Sequence, residues 1–352
     1  MSGKEKKEEN NRKFTGSKKL QLILLFTFSV ILLWVLAKPL SSFTSTDEYP
    51  TIVPMTPQKI ISFGGSPSTI IVGLYVRDIP QANFATGDFF VNLTVWFKFN
   101  PILIPLDRIN KFSFDNTREI KHKSGPYTRI EGDELLASYD MRVKFSIPMN
   151  YQNFPFDDHK INFSLTNYHL SPSEAIFKSS KSNFMINEDI KLAGWEQINK
   201  WVKTGFIKDT LNPHDARATR FHPRAVFSID ISRAGIRHVI TILIPLILIF
   251  FIAVFTLAFN PSGPDAGSII GISVASISAV IAHRFVIESM SPKSGSFMIS
   301  DKLFFLFLTS TCAIFFINIF SRKISGFYKN MLAILLYIFT FISTTYILSP
   351  LF

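Results

Sequence analysis

The stretch VFSIDISR, residues 226–233, and the stretch VITILIPLILIFFIAVFTLAF, residues 239–259, decide the fold of this chain. In the first stretch apolar and polar residues alternate, which is the pattern of a half-buried β-strand. The second is apolar over a length that spans a lipid bilayer, and Pro245 is its main interruption. The sequence therefore predicts a β-domain that is joined without a linker to a membrane helix.

A second apolar segment follows the polar turn at residues 260–265, and its composition sets it apart. Between Ala266 and Glu288 it consists mainly of Gly, Ser, Ala, Ile and Val, with His283 and Arg284 near its end. Small and hydroxyl side chains in such number are unusual on a helix that faces lipid on all sides. The two segments together predict that a signal passes from the β-domain into a bundle of membrane helices.

Composition restricts the class of protein. Hydrophobic residues make up 47% of the 352 residues, and 37 residues are Phe, which favours an integral membrane protein. The net charge is +11, but Lys and Arg do not form a stripe with interleaved aromatic residues, so we exclude nucleic acid as a partner. The single cysteine, Cys312, lies in an apolar run, which rules out an internal disulfide and a thiolate metal site.

The first 66 residues are predicted to comprise three parts. Residues 1–19 form a basic cytoplasmic leader, and residues 20–38 form a membrane anchor close to the length of one span. Residues 39–66, rich in Pro, Thr and Ser, form an extended linker. A cleaved signal peptide is the alternative for the anchor, but it would have a shorter apolar core and small residues in place of Lys38 and Pro39.

Residues 67–234 are predicted to form an extracytoplasmic, antiparallel β-sandwich. Hydrophobicity there repeats with a period of two, and Pro, Gly and Asn separate the repeating segments. The alternating segments are residues 90–99, 141–147, 161–166 and 226–233.

Residues 235–352 are predicted to form a four-helix transmembrane domain, with helices at residues 236–259, 266–288, 302–320 and 330–349. The basic flank of the anchor places the N-terminus in the cytoplasm and residues 39–235 outside. The same arrangement puts the loop with Arg322, Lys323 and Lys329 inside and the C-terminus outside, in agreement with the positive-inside rule. The predicted fold class is a β + α membrane protein, with an antiparallel β-sandwich, a four-helix transmembrane bundle and one N-terminal transmembrane helix.

Several short motifs follow one another along the chain. They are VGLYVRDI (72–79), YQNFPFDD (151–158), Gly194-Trp195, Arg233, Pro245 and ESMSPK (288–293). In this order and spacing they resemble the pentameric ligand-gated ion channel family, and the resemblance covers roughly residues 67–350. No cysteine pair brackets the Phe-Pro-Phe-Asp turn, which is similar to the prokaryotic members, and the N-terminal anchor departs from the usual plan of the family.

The resemblance implies a homopentamer in the inner membrane, whose periplasmic sandwich binds a ligand and controls a pore lined by the second bundle helix. It also implies a buried ion pair between Asp157 and Arg233, for which two solvated turn charges are the alternative. His283 and Glu288 are candidates for sensing pH, and the alternative is that they reach to the interface or pair with each other. The implied gating and coupling residues are Phe154, Pro155, Asp157, Arg233, Pro245, His283, Glu288 and Pro292.

Two faces of the second bundle helix compete for the pore lining, and the sequence leaves the choice open. One face has small residues at steps of three or four, and the other places a carboxylate at the cytoplasmic mouth. A stripe of small residues is also a common packing surface between membrane helices, so plain packing is the alternative to a pore. The small face is Gly267, Gly271, Ala275, Ser278 and Ala282, and the second face is Asp265, Ile272, Ser276 and His283.

The family holds its ligands between neighbouring sandwiches with aromatic side chains, whose faces attract cations. By position the candidates here are Trp96, Tyr168, Phe206, Phe221 and His222, and the alternative for each is a place in the core. Asp157, Asp158 and His159 are adjacent on a turn, an arrangement that rarely converges on one metal ion. We expect no metal site, no cofactor and no enzymatic activity.

The predicted function is a pentameric ligand- or proton-gated ion channel. Its partners would be further copies of the chain, the lipid bilayer, permeant ions and either an unknown small-molecule ligand or protons. The alternative is a membrane-anchored, non-conducting sensor or scaffold whose β-sandwich binds a small molecule or a protein. The ligand, the sign of the permeant ion and the retention of the anchor stay open on the sequence alone.

Overall fold

The computed structural model describes residues 23, 26–28, 30–41, 43–210, 219–259, 266–293, 295–320 and 326–351. The chain divides into two compact units, a β unit and a helical unit. The β unit comprises Ser45–Asn150 and Asp158–Ala234, and the helical unit comprises the residues up to Thr44, the loop Tyr151–Asp157 and the residues from Gly235 onward. The predicted leader, residues 1–19, lies outside the described residues.

Among the described residues, the β unit contains eleven strands in two sheets whose inner faces share one apolar core, which confirms the predicted sandwich. Sheet A has the order β1-β10-β11-β7-β4, and sheet B has the order β5-β6-β3-β2-β8 with β9 also beside β2. β8 and β9 pair with β2 in parallel, so the sandwich is not wholly antiparallel. The strands are β1 Val53–Pro54, β2 Ser68–Asn83, β3 Asp88–Phe99, β4 Ser113–Phe114, β5 Thr117–Glu131, β6 Glu134–Ser146, β7 His159–Thr166, β8 Ala175–Lys178, β9 Phe184–Ile186, β10 Trp195–Thr210 and β11 Thr219–Arg233.

β3 follows the predicted alternation along its whole length. Every second residue from Phe89 to Phe99 is buried, and those between are half-buried. Aromatic rings fill the space between the sheets, as where Phe145 of β6 and Phe163 of β7 meet with ring centroids 5.1 Å apart. Much of the Phe content therefore serves the sandwich core, and it is only in part a sign of membrane helices.

Sheet A departs from the alternation because a further layer covers its outer face. All eight residues of β7 are buried, polar ones included, so the prediction of a half-buried strand at residues 161–166 is wrong. The covering layer is residues 45–54, here called the strap. Within it Tyr49 accepts a hydrogen bond from Lys160 Nζ at 2.7 Å, Thr51 accepts one from Arg224 Nη1 at 2.6 Å, and β1 pairs with β10. Part of the predicted linker is thus extended but bound to the sheet.

Among the described residues, four helices are long and apolar enough to cross a membrane, in agreement with the predicted membrane protein; these spans are Arg237–Ala258, Gly267–Met290, Ile299–Phe320 and Tyr328–Leu351. The apolar N-terminal helix is described from Phe26, and the first part of the predicted anchor lies outside the described residues. The helices are α1 Phe26–Leu40, α2 Pro57–Phe63, α3 Leu106–Ile109, α4 Arg237–Phe255, α5 Ala266–Met290, α6 Ile299–Phe320 and α7 Gly326–Leu348. Of these, α2 and α3 belong to the β unit.

The four long helices are held together by buried polar side chains as well as by apolar contacts. Asn318 Nδ2 on α6 donates to Thr256 Oγ1 after α4 at 2.7 Å and to Ser273 Oγ on α5 at 2.9 Å. The hydroxyls of Ser310 and Thr340, 3.3 Å apart, join α6 to α7. Such bonds matter in a bilayer because apolar surfaces there gain little from leaving lipid for one another.

Candidate functional site

One face of α5 is buried against other helices of its own chain. Its residues follow one another at intervals of three or four, which places them on one side of an α-helix, and α4 and α6 are the neighbouring helices. The buried residues are Ile269, Ser273, Ser276, Val280, His283 and Ile287. The opposite face of α5 is exposed and is therefore free to contact lipid or another molecule.

The small-residue face predicted from the sequence lies on this outward side. Gly267, Gly271, Ala275, Ser278 and Ala282 are all exposed. A methyl group added at Gly267 or Gly271 would meet no atom within 4 Å outside its own turn of helix and its chain neighbours. The described residues of the same chain therefore leave this face open.

The competing face of α5 is divided between the inside and the outside of the bundle. Ser276 is 4% exposed, and its hydroxyl donates to the carbonyl of Ile272 at 2.9 Å. His283 is 8% exposed, and its Nε2 lies 2.9 Å from the carbonyl oxygen of Ile242 on α4. Ile272 itself is exposed, and Asp265 lies outside the described residues. Ser276 is thus enclosed in its own bundle in this structure, and its place in a pore lining stays a prediction.

Phe285 shares the outward face, although the sequence-based pore lining omitted it. It follows Ala282 by three positions and Ser278 by seven, and it is 74% exposed. The intervals of three or four residues that define the small-residue face predict Phe285 on the same face when they are continued by one helical turn. Phe285 gives an otherwise small-residue face one bulky apolar side chain near the end of α5.

An ion pair joins the end of α5 to the beginning of α6. Arg284 Nη1 donates to Asp301 Oδ1, and the guanidinium lies 5.4 Å from the centre of the Phe304 ring. The second oxygen of Asp301 accepts a hydrogen bond from the amide of Met298 at 3.1 Å. Arg284 is thus neutralised within its own chain, whereas Glu288, one turn further on, is exposed.

The predicted coupling residues Phe154, Pro155 and Asp157 lie in the loop Tyr151–Asp157, which groups with the helices. Phe154 and Asp157 are 0% and 1% exposed. A charged residue this deeply buried within a short loop indicates a tightly packed loop rather than a solvated turn.

The same loop caps the N-terminus of α6. The amide of Ile299 donates to the carbonyl of Gln152 at 2.9 Å, and the amide of Ser300 donates to the carbonyl of Phe154 at 3.0 Å. Amides in the first turn of a helix have no partner within that helix, so the loop supplies the missing acceptors. A displacement of the loop therefore acts directly on the helix end that Asp301 joins to α5.

The remaining predicted gating residues lie in several places. Arg233 lies at the end of β11, and its guanidinium is 4.6 Å from the centre of the Trp195 ring. The ion pair between Arg233 and Asp157 stays a prediction. Pro245 lies inside α4, where it cannot donate the usual hydrogen bond one turn back along the helix. Pro292 follows the end of α5.

The candidate ligand aromatics do not form one cluster within the chain. Trp96 belongs to β3 of sheet B, and Phe206 and Phe221 belong to sheet A. Phe206 is 0% exposed, and the Phe63 ring of α2 packs on it at 5.2 Å, so this structure places it in the core; its contact with a ligand stays a prediction. Lys59 Nζ, also on α2, lies 5.4 Å from the centre of the Phe221 ring.

Tyr168 and His222 are the candidate aromatics that lie together. Their ring centroids are 5.3 Å apart, and Tyr168 is 41% exposed. The Tyr168 hydroxyl donates to Asp115 Oδ1 at 3.2 Å, and partial burial together with the charge of Asp209 raises the pKa of Tyr168. His222 Nδ1 lies 3.2 Å from the carbonyl oxygen of Leu170. Tyr168 is thus the accessible member of the pair and lies beside an acidic group, whereas His222 is buried.

Sheet B carries a polar groove of about 520 Å³ that the sequence did not predict. A row of polar residues crosses four neighbouring strands there, from Asp78 of β2 through Asn92 and Arg142 to His122 of β5. In the same groove Asp140 accepts hydrogen bonds from Arg77 Nη2 at 2.7 Å and Thr94 Oγ1 at 2.8 Å. Groups of both charges in one concave surface suit a small polar ligand.

Within the part of the chain that the structure describes, no group of three or more His, Cys, Asp or Glu side chains converges as a metal site would. No protein-family model matches the chain, and no curated protein matches it. The resemblance to the pentameric channels therefore stays a prediction, and function has to follow from the residues themselves.

Proposed function

We propose that this chain is the subunit of a homopentameric ion channel in which a ligand or protons act on the β-sandwich and open a pore lined by α5. The observation that carries the proposal is the open, small-residue face of a helix long enough to cross a membrane. Its members Gly267, Gly271 and Ser278 face away from the chain's own bundle.

The comparison with α7 supports an aqueous rather than a lipid environment for that face. The exposed side of α7 carries large apolar residues that suit hydrocarbon chains, namely Leu335, Ile338, Phe339 and Ile342. The exposed side of α5 between Gly267 and Ala282 carries a line of glycine, alanine and serine, with the exposed apolar residues Ile272, Val274 and Ile281 beside it. A pore needs small or hydroxyl side chains along its axis, and five copies around an axis would bring these faces together.

Phe285 gives the proposed pore a constriction. A ring of large apolar side chains can stop ion flow by excluding water, without closing the passage completely. In this proposal Ser278 lies in the wider part of the pore, and Phe285, near the end of α5, forms the hydrophobic gate.

Coupling in the proposed channel runs through the loop Tyr151–Asp157. It caps α6, and the Arg284–Asp301 pair ties α6 to the end of α5, so the loop and the proposed gate share a short chain of bonds. A ligand that prefers one packing of the sandwich would shift the population of two loop positions. The proposed orientation places the sandwich and the C-terminus outside the inner membrane, as the positive-inside rule implies.

The second candidate function is a non-conducting, membrane-anchored sensor, and the same face of α5 favours it. Small residues at intervals of four let two membrane helices approach closely, so the open face of α5 would pack against another helix in that case. The polar groove on sheet B would then bind the sensed molecule. Ion conduction separates the two candidates.

The deciding experiment records currents from purified protein in planar bilayers while pH is stepped and small amines are added. Cys312 is first replaced by Ala, and Cys is then placed singly at Ser278 and at Ser276, two serines of the same helix of which one is exposed and one buried. A charged thiol reagent should block the Ser278→Cys channel and leave the Ser276→Cys channel unchanged. Equal reaction at both positions, or no current under any condition, would reject a pore along this face.

A further inference from the structure

The strap holds both ends of the coupling loop through a single carboxylate. Asp47 Oδ1 accepts a hydrogen bond from the amide of Asn150 at 2.7 Å, and Asp47 Oδ2 accepts one from the amide of Lys160 at 2.8 Å. Asn150 directly precedes the loop Tyr151–Asp157, and Lys160 follows it on β7. One side chain thus ties together the chain segments that enter and leave the loop.

His159 adds a third contact from the same side of the loop. Its Nδ1 lies 3.2 Å and 3.1 Å from the two oxygens of Asp47, and the imidazole ring packs 5.1 Å from the centre of the Trp195 ring. The side chains of His159 and Asp47 are 0% and 1% exposed. Hydrogen bonds to a carboxylate are strong where water does not compete for it.

Neighbouring strap residues keep Asp47 in register with the loop. Asn150 Nδ2 donates to the carbonyl of Thr46 at 3.3 Å, and Thr46 Oγ1 donates to the carbonyl of Asn150 at 3.4 Å. Further along, Arg224 Nη1 holds the carbonyl of Thr51, and β1 pairs with β10. Because the strap is bonded on both sides of Asp47, the carboxylate has a fixed position relative to the sheet.

We propose that Asp47 is a positioning residue for gating: by holding the amides of Asn150 and Lys160, it fixes the chain segments that enter and leave the coupling loop. A disulfide between the two ends of the loop would have the same effect, but a chain with a single cysteine cannot form a disulfide within itself. The proposal rests on the channel function proposed above. It also gives the strap a place in the coupling path.

The test compares Asp47→Asn with the wild type by hydrogen exchange and mass spectrometry on the full chain in lipid nanodiscs. Asparagine keeps the size of the side chain, but it has one carbonyl oxygen in place of two and no charge, so it cannot hold both amides and His159 at once. We expect exchange in residues 150–160 to become at least about tenfold faster and exchange in β3 to stay unchanged. The matched control is Tyr49→Phe in the same strap, which removes only the hydroxyl that Lys160 Nζ contacts and should leave residues 150–160 protected.

Two outcomes of the exchange experiment would overturn the proposal. Unchanged protection of residues 150–160 in Asp47→Asn would show that the carboxylate does not hold the loop. Equal acceleration in the loop and in β3 would show that Asp47 only stabilises the β unit as a whole. If Asp47→Asn does not fold, Asp47→Glu takes its place, since it keeps the charge but moves the carboxylate by one methylene from the amides of Asn150 and Lys160, and it should still speed exchange locally.

Current recordings on the same variants test the coupling role separately. We expect Asp47→Asn to shift the midpoint of the response to ligand or pH severalfold, while Tyr49→Phe gates like the wild type. If the wild type conducts and Asp47→Asn gates identically despite a loosened loop, the coupling role is overturned. If the wild type does not conduct, the channel function has failed, and the exchange result alone supports or overturns the positioning of the loop by Asp47.

Discussion

Tyr139 shows at the scale of one residue what burial does within the sandwich. It is fully buried, and its ring packs against the rings of Phe97 and Phe112 at centroid distances of 6.0 Å and 5.0 Å. Its hydroxyl has no hydrogen-bond partner among the described residues, and burial raises the pKa of Tyr139 to about 12. The hydroxyl therefore lost its bonds to water on folding and gained none in return.

Tyr139→Phe should stabilise the protein by about 1 kcal/mol, because it removes an unsatisfied buried hydroxyl and leaves the ring in place. In the unfolded chain a tyrosine ionises near pH 10, so the wild type should lose stability as pH rises from about 10 to about 12. Tyr139→Phe should lack this part of the loss. Thermal unfolding in detergent at pH 8 and pH 11 measures both effects, with Tyr127→Phe on the exposed surface as the control. A destabilised Tyr139→Phe would mean that the hydroxyl has a partner.

The Arg284–Asp301 pair makes the second prediction at this scale. Arg284→Gln and Asp301→Asn should each lower stability by about 1.5–3 kcal/mol, since each leaves a charged hydrogen-bonding group without its partner in a half-buried place. The double variant should lose less than the sum of the two. Thermal unfolding of all four proteins in one detergent gives the coupling energy. Additive losses would show that the two side chains act independently.

At the scale of elements, the strap should depend on one glycine of β10. A Cβ atom on Gly205 would lie 2.3 Å from the carbonyl oxygen of Val53 in β1, which no side-chain adjustment relieves. Gly205→Ala should therefore lift β1 from the edge of sheet A and cost about 1–3 kcal/mol. Hydrogen exchange of residues 51–56 should rise, while Thr204→Ala on the same strand leaves it unchanged. Normal protection of β1 in Gly205→Ala would contradict this packing.

Individual strands and helices also show which features of the structure could be predicted from the sequence. The alternation in β3 and the long apolar runs predicted strands and spans because each follows from local period alone. The double burial of β7 could not be predicted, since the strap that covers it lies more than a hundred residues earlier in the chain. The burial of Phe206 could not be predicted for the same reason, because the ring that covers it is Phe63 of α2. Ser276 and Ser278 look alike in sequence, and only the packing of α5 against α4 and α6 tells them apart.

At the scale of the whole molecule, the exposed face of α5 is the candidate surface for contact with further copies of the chain. Glycine, alanine and serine follow one another along it with Ile272, Val274 and Ile281 beside them, whereas the exposed side of α7 carries mainly large apolar side chains. A monomer in the membrane would leave the hydroxyl of Ser278 against hydrocarbon, which offers no hydrogen bonds. Assembly around an axis would remove that cost, so the prediction of an oligomer and the channel proposal rest on the same face.

The last prediction is therefore that the purified protein in mild detergent has a mass about five times the chain mass of 40.0 kDa, by light scattering corrected for bound detergent. Gly271→Leu should leave this mass and the β unit intact, because a Cβ atom there meets none of the described atoms within 4 Å outside its own turn of helix and its chain neighbours, yet it should reduce conductance by narrowing the pore. The control is Ile338→Leu on the lipid-facing side of α7, which should change neither property. A monomer at every detergent concentration, or full conductance in Gly271→Leu, would show that α5 does not line a central pore.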